Sequence, residues 1–233
     1  MYLATRTNLV IDTRVSSPQI LGLGGHPDDT MLDYALGLAR GARVLYVPTA
    51  ANEDPLRTVD WYARLRGRAE LTPVHFYPWP PDNLRELTLV HDIVIVPGGN
   101  TANMLAVWRV HGFDAILREA WQAGILLTGW SAGMICWFEA GVTDSFGPQL
   151  EGMRDGLGFL SGSACPHYDG EERRRPVYQR LVREGFPPGI ALDDAAGAHY
   201  IGTELREVVT SQAGAGGYRM GPDGEEPVET RVL

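Results

Sequence analysis

Ser131 is the residue whose neighbours best suit it to act as a nucleophile. It lies in Gly129-Trp130-Ser131-Ala132-Gly133, a G-x-S-x-G run. The apolar stretch Ile125-Leu126-Leu127-Thr128 before it reads as a buried strand, and the small residues after it can open a helix. A serine on such a strand-to-helix turn is exposed on a strained bend at the carboxyl end of a sheet. The Ala132 N–H is then free to stabilise an oxyanion. The chemistry this arrangement serves is acyl transfer.

A serine needs a base. All twenty basic residues are arginine, so a Ser–Lys dyad, a Schiff-base lysine and a P-loop lysine are excluded. Among six histidines, His75 and His91 sit in or beside apolar strands and read as packing residues. His111 falls between two helices, and His199 lies in a small-residue stretch. His26 and His167 are the loop candidates, and Pro166 stiffens the approach to His167. His26-Pro27-Asp28-Asp29 also resembles the zinc motif of the N-acetylglucosaminyl deacetylase-like family. Thr30 stands where that family continues with Glu, and no distant His-rich motif supplies a further ligand. The plainer reading is that Asp28 or Asp29 caps a helix.

The elements that must position these groups alternate between strand and helix. Gln19 to Leu23 reads as a first strand, followed by a helix through Met31, Leu32, Ala35 and Leu36 that Gly41 closes. Arg43 to Val47 is a second strand, Asp54 to Arg66 an amphipathic helix, and Val74 to Tyr77 a third strand. Ile93 to Val96 runs into Pro97-Gly98-Gly99-Asn100-Thr101, with helices expected over Ala102 to Val110 and Phe113 to Ala123. Continuous apolar strands between helices predict a mostly parallel sheet with helices on both faces. Ligands of such sheets bind beyond the carboxyl ends of the strands. Gly24-Gly25-His26, Gly98 to Thr101 and Gly129 to Ser131 all fall there. The middle turn offers Gly99 N–H as a second oxyanion donor and Asn100 as a substrate contact. Beyond about residue 140 the pattern weakens into loops. Pro176 to Arg183 reads as a helix, Gly189 to Leu192 as a strand, and Glu207 to Thr210 as the opening of a C-terminal hairpin.

With 233 residues, 44% of them hydrophobic, the chain suits a single domain over 1–233. Residues 1–18 read as an N-terminal extension and 221–233 as an edge or tail. The net charge of −9 argues against nucleic acid and against a basic membrane-docking face. Cys136 and Cys165 read as buried core residues with no disulfide framework. Residues 1–19 are polar and broken by Arg6, Asp12 and Arg14, unlike a signal peptide. No apolar run is long enough to span a bilayer, so a cytoplasmic location is expected.

Taken together, Val96 to Thr101, Gly129 to Gly133, Pro166-His167-Tyr168 and Gly189 to Asp194 resemble the peptidase E family of serine peptidases, in order and in approximate spacing. The resemblance covers roughly residues 19–220. It implies a class I glutamine-amidotransferase-like α/β fold, with Ser131 as nucleophile, His167 as base and an acyl-enzyme intermediate. The third member is Glu in much of that family. Here Asp194 is the nearest equivalent, with Asp193 next and Asp144 as a further acid. The order Ser, His, Asp differs from that of α/β-hydrolases. The family's aspartate-binding arginine corresponds best to Arg173, in Glu171-Glu172-Arg173-Arg174-Arg175. A serine exopeptidase or dipeptidase acting on short peptides, with a preference for N-terminal Asp, is therefore expected. The alternatives are a carboxypeptidase or broad dipeptidase of the same family, a zinc-dependent deacetylase using His26, Asp28 and Asp29, and a non-catalytic amidotransferase-like binding module. The leading reading requires no metal or cofactor and is compatible with a homodimer.

Overall fold

The computed structural model describes residues 17–233. The expected N-terminal extension falls outside the described residues except for its last two. Five strands form a parallel block: β1 (Gln19–Leu23), β2 (Arg43–Tyr46), β3 (Glu70–Pro73), β4 (Ile93–Val96) and β5 (Leu126–Trp130). They lie in the order β1-β5-β4-β2-β3. β4 and β5 are buried along their whole length, as apolar runs are when both faces of a sheet are covered.

From β1 to β2 to β3 the chain steps toward the β3 edge, through α1 (Asp29–Leu38) and α2 (Pro55–Leu65). From β3 to β4 to β5 it steps back, through α3 (Leu84–Leu89), α4 (Thr101–Val110) and α5 (Phe113–Gln122). Right-handed crossovers then place the two helix sets on opposite faces. The packing follows this rule. Leu32, Ala35, Trp61 and Leu65 cluster with Leu21, Val44, Ile93 and Leu126. Leu84, Met104, Trp108 and Leu117 cluster with Ile20, Leu45, Val94 and Leu127. Local chemistry fixes the helix starts. Asp28 Oδ1 accepts the Met31 N–H at 2.9 Å, and Asp54 Oδ1 accepts the Leu56 N–H at 2.9 Å behind Pro55.

After β5 the chain enters α6 (Ala132–Ile135) and then builds a second sheet, of which the sequence pattern predicts β9 alone. β6 (Phe138–Thr143), β7 (Glu151–Met153), β8 (Leu160–Cys165) and β9 (Gly189–Leu192) join β12 (Gly217–Gly221) and β13 (Gly224–Val228) in it. Their order is β13-β12-β9-β8-β6-β7. Phe138, Leu160 and Ile190 of this sheet enter the same core cluster as α4 and α5. Its other face carries α7 (Arg174–Arg183), through Tyr178 and Val182. Strands such as Leu160-Ser161-Gly162-Ser163-Ala164-Cys165 are built from small residues, so the apolar signal that marks β4 and β5 is missing from them.

β10 (Ala196–Ile201) pairs antiparallel with β1 and β11 (Glu204–Thr210) with β10, while β14 (Thr230–Val232) runs parallel to β11. Glu207 to Thr210 thus pair back onto β10, and the later antiparallel pair β12–β13 lies in the second sheet. β13 and β14 each end a sheet, so residues 224–232 are edge strands. The third strand also differs from expectation. Val74 to Tyr77 alternate like a strand, but β3 lies earlier, and the N–H groups of Phe76 and Tyr77 go to the Glu53 carboxylate instead of a ladder. No described helix is long and apolar enough to cross a membrane.

Candidate active site

Ser131 caps the end of β5 at φ 55°, ψ −112°, a backbone state that costs a non-glycine residue about 1–3 kcal/mol. The surrounding glycines make the turn possible. A Cβ on Gly129 or Gly133 would sit 2.1 or 2.0 Å from the Val96 carbonyl oxygen, so both positions exclude any side chain. The Ser131 carbonyl accepts the N–H groups of Met134 and Ile135, closing the first turn of α6. Among the described residues, neither the Ala132 nor the Gly99 N–H donates a hydrogen bond. Gly99 stands at φ 147°, and the next N–H, of Asn100, donates to Ala50 at 2.9 Å.

His167 and Asp194 come from loops at the ends of β8 and β9. His167 Nδ1 meets Asp194 Oδ1 at 2.5 Å, and the Asp194 N–H donates to Asp169 Oδ1 at 2.8 Å. Like Ser131, His167 has a positive φ, 55°. Ser131 Oγ and His167 are not hydrogen-bonded to each other.

One short segment ties the three residues together. The Ser131 N–H donates to Leu23 O at 3.3 Å, the His167 N–H donates to Gly24 O at 3.2 Å, and the Gly25 N–H donates to Asp194 O at 2.9 Å. The end of β1 thus holds Ser131, His167 and Asp194 through three consecutive residues. A Cβ on Gly25 would lie 2.7 Å from Asp194 Oδ1. From sequence, Gly24-Gly25 stood out only as a loop that could face a ligand. A pair of glycines directly after the first strand was the available signal for this closer role.

A serine on a strained elbow, an imidazole backed by a carboxylate and two unclaimed backbone N–H groups form a set suited to acyl transfer. The model of Peptidase family S51 matches residues 23–208. The chain belongs to this family. It is 42% identical over 214 residues to the "Uncharacterized peptidase YgaJ" of Bacillus subtilis (strain 168), covering 87% of this chain and 91% of that one. It is 28% identical over 148 residues to the Peptidase E of Shewanella denitrificans, covering 60% of this chain and 61% of that protein. The crystal structure of a peptidase from an acI-B1 Actinobacterium superposes with a TM-score of 0.67 at 17% identity, over 93% of this chain and 96% of that chain. Membership of the S51 family makes the chain a serine-type peptidase.

Within this S51 site the neighbouring carboxylates take different parts. Asp193 is buried and accepts the Gly216 N–H at 2.9 Å and the Tyr218 hydroxyl at 3.5 Å. Its Oδ1 has no partner, and burial raises its carboxyl above the ordinary range. It serves the junction of β9, β10 and β12 and makes no bond to His167. Asp144 lies in the loop after β6, and its carbonyl accepts the Gly147 N–H at 3.3 Å.

The arginine triplet also separates. Arg174 is buried, with Nη1 on Val142 O at 2.7 Å and Nε on Glu171 at 2.7 Å. Burial alone would raise the Glu171 carboxyl, but the Arg174 hydrogen bond and charge hold it below the usual range. Arg175 stacks over Tyr168 and Tyr218. Arg173 is exposed, and its Nη1 makes one 3.4 Å bond to Pro148 O.

Asn100, expected to contact substrate, is committed to its own turn. Its Oδ1 accepts the Asn103 N–H at 2.8 Å as the cap of α4, and its Nδ2 donates to Ser145 O at 3.0 Å. Among the described residues no group of three or more His, Cys, Asp or Glu side chains is placed to hold a metal ion, and the residues of the zinc alternative have other partners. Asp28 caps α1, Asp29 pairs with Arg64 and Arg68, and His26 packs against Trp130 and Trp61. Among the remaining histidines, His91 Nδ1 meets Leu87 O at 2.6 Å, and His199 lies between Tyr34 and Gln19. Burial lowers both imidazoles below their ordinary range.

Proposed function

We propose that this S51 peptidase is a serine exopeptidase or dipeptidase that cleaves short peptides through Ser131, His167 and Asp194. The observation that carries this reading is the 2.5 Å contact between His167 Nδ1 and Asp194 Oδ1, anchored on the strand end that also holds Ser131. With Nδ1–H donated to the carboxylate, Nε2 is the free acceptor. It takes the Ser131 proton as Oγ attacks the scissile carbonyl, and the N–H groups of Gly99 and Ala132 receive the oxyanion. The imidazolium then protonates the leaving amine. Water, deprotonated by the same nitrogen, releases the acyl group from Ser131. Serine–histidine hydrogen bonds are often long without substrate and tighten in the complex. The elbow at the end of a parallel strand also accords with a class I glutamine-amidotransferase-like fold.

The preference for N-terminal Asp rests on Arg173. Arg174 and Arg175 are consumed by internal partners, which leaves Arg173 as the member of the triplet able to pair with a substrate carboxylate. The competing reading is that Arg173 binds the terminal carboxylate of the peptide, giving a carboxypeptidase or broad dipeptidase. The test compares Asp-Leu with Ala-Leu for wild type and Arg173→Ala, and separate samples are treated with a serine-directed phosphonate, with and without chelator, to label Ser131. The aspartyl reading requires labelling that ignores chelator, a wild-type preference for Asp-Leu, and loss of most of that preference in the variant. Equal wild-type rates on both dipeptides would remove the aspartyl preference and leave the peptidase.

A further inference from the structure

Trp130 immediately precedes Ser131, and its ring points to the α1/α2 face of the sheet. Gly98 serves as a ruler for how close the ring and the serine lie. A Cβ there would be 3.1 Å from both Ser131 Cβ and Trp130 Nε1. Trp130 also lines a cleft of about 400 Å³ beside α2, together with His26, Tyr46, Leu56, Arg57, Asp60 and Trp61. Its walls are aromatic. Trp61 stacks on Trp130 at 5.4 Å and on Tyr46 at 5.5 Å between ring centroids, and His26 meets Trp130 edge-on at 4.9 Å. Leu56, 76% exposed, presents an apolar side chain at the rim beside Arg57 and Asp60.

Two further facts suit this cleft to a ligand. The Tyr46 hydroxyl is buried without a hydrogen-bond partner, although Tyr46 lines the cleft and its side chain is fully enclosed. Buried hydroxyls are ordinarily satisfied, so an unpaired one marks an offered bond. Burial, together with the charge of Arg64, lowers the His26 imidazole below its ordinary range.

We propose that the cleft is a subsite for the aromatic side chain of a peptide residue that flanks the scissile bond. The proposal rests on the peptidase reading of Ser131 and names the side chain that reading leaves open. Continuity with the serine argues for this occupant. A peptide with its carbonyl at Ser131 has a side chain within one residue of Trp130, and a ring entering there packs against the exposed His26 ring and the Leu56 side chain instead of water. The subsite is distinct from Arg173, which lies at the start of α7 beside the loop after β6.

The experiment measures kcat/KM on two dipeptide series, Xaa-Ala and Asp-Xaa, with Xaa as Ala, Leu, Phe and Tyr. A small phosphonate titrates Ser131 in parallel. Aromatic Xaa in one series should exceed Ala by roughly 30-fold, with Leu between them. Leu56→Asp, which puts a carboxylate at the rim, should cut the aromatic-to-Ala ratio by about tenfold. Val59→Asp, one turn along α2 and outside the cleft, should leave the ratio unchanged. Labelling of Ser131 with flat rates in both series overturns the subsite alone. So does an aromatic preference that Leu56→Asp leaves intact. Failure of any label to reach Ser131, with no hydrolysis, overturns the peptidase reading and the subsite with it.

Discussion

The two halves of the site are built differently. Ser131 stands on β5, a fully buried strand in the middle of the parallel block, and its elbow is clamped against the Val96 carbonyl. His167 and Asp194 stand on loops at the ends of β8 and β9, strands of a sheet rich in small residues, and hydrogen bonds fix them more than packing does. Core packing thus places Ser131, and a set of polar contacts fixes His167 and Asp194. Substitutions on the serine side should affect chemistry alone when they are isosteric. On the histidine side, chemistry and stability should come apart from one residue to the next.

The largest effect expected is for Ser131→Ala, which should lower kcat by about a million-fold, by analogy with other serine peptidase nucleophiles. The melting temperature should stay close to wild type, since alanine occupies the same strained turn. Near-wild-type turnover would break the comparison at its root.

Asp193 and Asp194 sharpen it next. Asp194→Ala should cost about ten-thousand-fold in kcat, because the imidazole loses the group that orients it. Asp193→Ala should instead cost about 1–3 kcal/mol of stability through the Gly216 bond, with kcat changed far less. Urea melts and steady-state kinetics on both variants decide the matter, and interchanged effects would assign the orienting role to Asp193.

Gly25→Ala probes the link between the halves. The added methyl meets Asp194, so a loss of roughly a hundredfold in kcat/KM is expected from displacement of the carboxylate. A stability loss of about 1–3 kcal/mol should accompany it. Unchanged kinetics would show that the β1 end does not set the geometry.

The smallest effect is on pH dependence. Burial depresses the folded-state pKa of His91 and His199. Between that lowered value and the unfolded value of about 6.5, the unfolded chain binds more protons. Stability should therefore fall as pH drops below about 6.5 and level off below the folded pKa, by at most about 1.4 kcal/mol per pH unit for each imidazole. His91→Gln should flatten the urea midpoint against pH, and an unaltered slope would exclude His91 as a source.

The same contrast decides what could be read from the sequence. β4, β5 and the serine turn announce themselves, because a strand covered on both faces must be apolar and a tight elbow must be glycine-rich. The second sheet does not. Gly162, Ser163 and Ala164 give no hydrophobic period, and β10 hides in Ala196-Gly197-Ala198. His167 could be picked from its loop, but its pairing with Asp194 in preference to Asp193 depends on which neighbour the β9–β10 turn buries. The partners of the arginine triplet are not legible in the sequence either, since Val142 O and Tyr218, which engage Arg174 and Arg175, lie far from it along the chain.

Anchoring all three residues on the end of β1 also bears on when activity can first exist. β1 lies near the start of the chain, yet its partner β10 pairs Gln19 with Ile201, close to the other end. Contacts of such long range are among the last to be secured as a chain folds. A ribosome-bound or prematurely ended chain that has already made Ser131 still lacks the strand that seats Asp194 against Gly25. The seat of Asp194 beside the serine turn is thus a product of the whole sheet and not of the β1–β5 block alone.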